Sequence, residues 1–168
     1  ALAALAVAIE LGVSPEQAAD ALLGVQAGAG RGEVRTGCWG GRVIDDTYNA
    51  NPAAVKAAID VLATEPGHRV LILGAMLELG STSEILHEDV GAYARSAGID
   101  QLIAVGHSAM GAARGFGGGA MFFSDQLSLK AEFPVLPADH VIWVKASRGA
   151  ALEQTVGWLA PMEGAESC

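Results

Sequence analysis

The segment Arg69-Val70-Leu71-Ile72-Leu73 narrows the choice of fold more than any other part of this chain. After its first residue it is apolar on every side. It is too short for a core helix, and Pro66-Gly67 and Gly74 bound it. Such a run suits a parallel strand covered on both faces. Similar runs at 102–105, 120–123 and 140–145 predict further strands. Helical patterns at 83–97, near 108–114, after Asp125 and at 150–159 separate them. Asn51-Pro52 opens another helix, to about residue 63, with Asn as cap and Pro at its first position. Strands alternating with helices predict an α/β fold: a Rossmann-like, mostly parallel sheet flanked by helices. Ligands are then expected at the carboxyl ends of the strands.

Two more strands are predicted at 33–36 and 42–46, joined as a hairpin by Gly37-Cys38-Trp39-Gly40-Gly41. Ahead of them the pattern is helical. Residues 1–12 read as a buried helix closed by Gly12, and Ser14-Pro15-Glu16-Gln17 as a capping box opening a second helix to about Leu23. A glycine-rich stretch to Gly32 follows. Residues 1–30 are therefore expected to be a helical remnant of a preceding domain plus a linker, and 31–168 the α/β domain. The chain opens inside a helical pattern and without Met, so it is expected to begin partway through a longer protein.

Charge removes some functions. The net charge is -9 and the ten basic residues are scattered, which does not make a nucleic-acid groove. No apolar run reaches the length of a membrane span, and the apolar start lacks a basic region before it. Cys38 and Cys168 form no C-x-x-C, so neither a disulfide framework nor a zinc site is expected. A cytoplasmic setting follows as the default. With only three lysines and no Gly-Lys pair, the chain has no phosphate-cradling P-loop.

Three segments fall just after predicted strands. In Asp45-Asp46-Thr47-Tyr48-Asn49-Ala50-Asn51-Pro52, capping explains Asn51 and Pro52 but not two adjacent acids at a strand end; Asp46 can accept both hydroxyls of a ribose. Gly74-Ala75-Met76-Leu77-Glu78-Leu79-Gly80 is not a dinucleotide fingerprint. Its Glu78 either faces the cleft or solvates a loop, and His87, on the next helix, reads as structural when taken alone. Lys145-Ala146-Ser147-Arg148 gathers two cations and a hydroxyl at a predicted helix entrance, which makes an anion site unless Ser147 is an ordinary cap. Arg31, flanked by glycines, is either a solvated linker charge or an arm toward a phosphate.

In this order and spacing, the three segments together with His87, Glu153 and Ala97-Gly98-Ile99-Asp100 resemble the Mur ligases. The resemblance covers about residues 31–156. Within the family it is greatest to the members that join D-alanyl-D-alanine to UDP-N-acetylmuramoyl-tripeptide. It implies an ATP- and magnesium-dependent ligase with an acyl-phosphate intermediate, of which this chain is the C-terminal domain and the end of the central ATPase domain. By position it implies that Arg31, Asp46, Tyr48, Asn49 and Asn51 serve the nucleotide, and that Lys145, Ser147 and Arg148 serve the carboxylate of the dipeptide. Glu78 and His87 fill motif positions without an assigned role. No catalytic residue and no metal ligand is placed in this chain. Two positions depart from the family, which has Gly-Asp-Met where Ala75 stands and Lys-Gly-Ser-Arg where Ala146 stands. Alternatives left open are another amide ligase of the superfamily, such as a folylpolyglutamate synthase, and a non-catalytic nucleotide- or peptide-binding module.

Overall fold

The computed structural model describes residues 2–25 and 28–161. Two helices come first, α1 (Leu2–Glu10) and α2 (Pro15–Leu23), the second opened by the expected capping box of Ser14 and Gln17. The expectation of a buried first helix is not met. No residue of α1 is buried, and Leu2, Val7 and Leu11 are well exposed.

The rest is a six-stranded sheet with helices on both faces. Its strands are β1 (Glu33–Thr36), β2 (Arg42–Asp46), β3 (Arg69–Leu73), β4 (Gln101–Val105), β5 (Ala120–Phe123) and β6 (Val141–Lys145). Their order is β1-β2-β6-β3-β4-β5, with β1 antiparallel to β2 and every other pair parallel. The α/β reading of the sequence holds.

Alternation along the strands builds two cores. Ile44, Leu71, Leu73 and Leu102 face α3 (Pro52–Ala63), α4 (Ser83–Ser96) and α5 (Met110–Phe116). Val43, Val70, Ile72, Ile103 and Val144 face the other way, toward Leu129 of α6 (Gln126–Ala131) and Val156 and Leu159 of α7 (Glu153–Leu159). Each such fully buried aliphatic side chain contributes about 1.5–3 kcal/mol.

The insertion of β6 between β2 and β3 positions the site. Lys145 is in register with both Asp46 on β2 and Leu73 on β3. The three chemistry-bearing segments therefore leave the sheet at one level, from three adjacent strands.

Candidate functional site at the carboxyl ends of three strands

Asp45 and Asp46 are adjacent in sequence, so the strand sends them to opposite faces. Asp45 is buried and structural. Its carboxylate accepts from the Thr47 hydroxyl (2.7 Å) and backbone N–H (3.2 Å) and meets Arg35 at 3.4 Å. Asp46 lies on the face shared with Trp143 and Lys145. The Lys145 ammonium donates to Asp46 Oδ2 at 2.6 Å, and the Trp143 indole N–H to the same oxygen at 3.2 Å. Lys145, almost fully buried, also donates to the Asn49 carbonyl at 3.0 Å. Asp46 Oδ1 carries no bond from the described residues. One oxygen is thus pinned and the other presented.

Ser147 ties the three strand exits together. Its hydroxyl donates to the Ala50 carbonyl (3.1 Å) and accepts from Leu77 N–H (2.9 Å), while its backbone N–H donates to the Ala75 carbonyl (2.9 Å). The expected helix entrance is absent here. A 3-10 turn spans Arg148–Ala150, Ala151 adopts a left-handed conformation at φ 53°, and α7 begins only at Glu153. The Ser147 hydroxyl is spent on the neighbouring loops and does not cap the turn. Any anion held here is therefore held by side chains, without an aligned helix behind them.

His87, the motif position on α4, is completely buried. Met76 N–H donates to its Nε2 at 2.9 Å, so Nε2 carries no proton. Nδ1–H then donates to the Ser83 carbonyl at 2.7 Å. The ring is a neutral strut under the segment from Gly74 to Gly80. Asp100, from the fourth matching stretch, is also structural. It accepts from the Arg69 side chain and backbone, and the Arg69 guanidinium holds its carboxyl below the usual range.

Above these buried groups stand the exposed ones. The Arg31 guanidinium lies over the Tyr48 ring, 3.7 Å from its centroid, and that of Arg148 lies 5.7 Å from the same centroid. Tyr48 N–H donates to the Gly30 carbonyl at 2.9 Å. Gly30 has φ +71°, and a side chain there would meet Tyr48 N at 3.0 Å, so glycine lets the linker lie against this loop. A cavity of about 500 Å³ is lined here by Arg31, Arg35, Asp45, Thr47, Tyr48 and Arg148, among others. A second, of about 270 Å³, lies between Tyr48, Asn49, Leu77, Glu78 and Arg148. Asn49 and Asn51 are exposed. Asn51 caps α3 by accepting from Ala54 N–H, and Asn49 accepts from Ala50 N–H, both at 2.8 Å.

The structure thus brings all of the sequence-selected residues to one end of the sheet, but in two tiers. Lys145, Ser147 and His87 are buried and engaged with protein, and the half-buried Asp46 joins them through one oxygen. Arg31, Tyr48, Asn49, Asn51, Glu78 and Arg148 are exposed. Sequence reasoning missed Trp143 as a partner of Asp46. The signal for it was its spacing of two from Lys145 on one strand.

Known proteins resemble this chain in sequence and in fold. The chain is 42% identical over 117 residues to the UDP-N-acetylmuramoyl-tripeptide–D-alanyl-D-alanine ligase of Escherichia coli K12, covering 68% of the chain and 26% of that protein. It is 34% identical over 166 residues to the Bacillus subtilis enzyme of the same name, covering 93% and 36%. A crystal structure of MurF from Acinetobacter baumannii superimposes with TM-score 0.79 at 29% identity, over 92% of the chain and 35% of that structure. MurF ligase from Thermotoga maritima in complex with ADP gives 0.72 at 27%, over 90% and 35%. The chain spans about a third or less of the length of these relatives. Residues 30–161 match the model of the Mur ligase glutamate ligase domain, and the chain therefore belongs to the Mur ligase family.

Proposed function

We propose that this chain is the C-terminal domain of an ATP-dependent ligase that joins D-alanyl-D-alanine to UDP-N-acetylmuramoyl-tripeptide through an acyl-phosphate, in cytoplasmic synthesis of peptidoglycan precursors. The observation that carries the reading is the meeting of three separated segments at the ends of β2, β6 and β3. It is supported by the identity to two ligases of that name. Residues 1–30 are assigned to the end of the central domain plus linker. The exposed apolar residues of α1 then pack against the remainder of that domain. The P-loop and the main magnesium ligands are assigned to the rest of the enzyme. Among the described residues no group of three or more His, Cys, Asp or Glu side chains is placed to hold a metal ion.

The residues present fit a nucleotide. ATP, when bound, supplies the phosphoryl group that activates the tripeptide carboxylate. Arg31, which has no ion pair among the described residues, meets the phosphates. Asp46 Oδ1 accepts from ribose hydroxyls, and Tyr48, Asn49 and Asn51 form the rim of that surface. Lys145 acts through Asp46, which it holds in place. Ser147 acts through the loops it ties together. Of the three residues assigned to the dipeptide, only the Arg148 guanidinium is exposed and, among the described residues, without a hydrogen bond or ion pair, and it takes the carboxylate with two parallel hydrogen bonds. Holding the amine in line with the acyl carbon supplies much of such a reaction's acceleration.

The test is made on the complete polypeptide that carries this chain. ATP consumption is expected only when both the UDP-muramoyl-tripeptide and D-alanyl-D-alanine are supplied. Consumption with glutamate and a folate, or none under any acceptor, overturns the reading.

A further inference from the structure

Glu78 is an exposed motif residue that the reading above leaves without a partner. It lines the cavity of about 270 Å³ together with Arg148, Tyr48, Asn49 and Leu77. That volume lies just under the roughly 300 Å³ at which small-molecule sites begin, so the cavity suits a short ligand with small side chains. Its charges are opposite and unspent: among the described residues neither the Glu78 carboxylate nor the Arg148 guanidinium makes a hydrogen bond or ion pair. A cavity with one free anion and one free cation matches a zwitterion.

The backbone at Glu78 is also unusual. Its φ is +63°, the left-handed region that side-chain-bearing residues rarely occupy. The surrounding contacts hold it there. His87 accepts from Met76 N–H, and the Ser147 hydroxyl accepts from Leu77 N–H, each at 2.9 Å. The Leu77 side chain covers Gly149, where a Cβ would stand 2.8 Å from Leu77 Cδ1. The two residues before Glu78 are therefore fixed from two other elements, and a strained residue that carries a charge is set at the cavity edge. Strain maintained in this way points to use.

We propose that Glu78 binds the ammonium end of the acceptor dipeptide while Arg148 binds its carboxylate, so that the pair selects a short zwitterion. His87 and Ser147 are positioning residues for Glu78. The inference rests on the ligase reading above and names the part of the site that fixes the acceptor's orientation.

The test uses E78Q in the complete ligase, a change that keeps size and backbone and removes the charge. The KM for D-alanyl-D-alanine is expected to rise about tenfold, the loss of one charge-assisted contact, with the KM for ATP unchanged. N-acetyl-D-alanyl-D-alanine, which lacks the ammonium, serves as a second probe. It should inhibit E78Q and the parent enzyme equally, whereas the free dipeptide separates them. A dipeptide KM within about twofold of the parent value defeats the assignment of Glu78 and leaves the ligase reading standing. A parent enzyme that does not use the dipeptide at all overturns both.

Discussion

His87 is hydrogen-bonded through both ring nitrogens, and the Met76 N–H at Nε2 fixes its protonation state. A second proton would turn an N–H against Met76 N–H. Burial pushes its pKa below the usual value, outweighing the bond to the Ser83 carbonyl, which favours the charged form. The sign of the pH dependence follows. Between the lowered folded pKa and about 6.5 the unfolded chain binds a proton that the folded chain refuses. The stabilisation is therefore full above about pH 6.5 and is lost as the pH falls toward the folded pKa. Urea midpoints measured between about pH 7.5 and 5 are expected to fall with pH, less steeply in His87→Asn. His87→Ala should cost about 2–4 kcal/mol, because it leaves a void and an orphaned buried N–H. Glu78 lies at the other extreme. Glu78→Gly relieves the left-handed strain and is expected to raise stability by about 1 kcal/mol, read from the same urea curves. The sequence marked both positions as motif members. Taken alone His87 read as structural, but neither its place under the loop nor the free charge and left-handed backbone of Glu78 was legible, because burial and φ are consequences of packing.

Helices α4 and α5 pack with backbone against backbone. A Cβ on Gly115 would stand 1.9 Å from the Glu88 carbonyl, and one on Gly91 would stand 2.0 Å from that of Ala112. Neither neighbour is the end of a flexible side chain, so Gly115→Ala must push the helices apart. A loss of about 1–3 kcal/mol is expected by chemical denaturation. At the start of α3, Asn51→Ala removes the bond to Ala54 N–H and should cost about 1 kcal/mol, measured in the same way. The elements themselves were legible. Short apolar runs gave the strands, and Asn51-Pro52 and Ser14-Pro15 gave two helix starts within a residue. The last helix was misplaced for a definite reason. Ser147 has the composition of a cap, but its hydroxyl is taken by Leu77 N–H and the Ala50 carbonyl, from loops far away in sequence.

Across the molecule, the roles proposed for Asp46 and Arg148 divide between two ligands. In the complete ligase, Asp46→Ala is expected to raise mainly the KM for ATP, and Arg148→Ala mainly that for the dipeptide, each by about tenfold. Steady-state titration of each substrate separates them, and equal shifts in one constant would refute the division. The exposed side of α1 also belongs to this scale. Its apolar sequence reads as buried, yet burial depends on what stands opposite, and within residues 2–25 and 28–161 nothing covers it. By itself the sequence determined the strand and helix periods, the α/β class and three segments bearing functional side chains, because periodicity and turn chemistry are local. The tertiary structure alone decided that β6 enters between β2 and β3, setting Lys145 beside Asp46 from 99 residues away. It decided as well which motif residues became buried ties and which stayed free to meet a ligand, since strand order and desolvation arise only when distant segments pack.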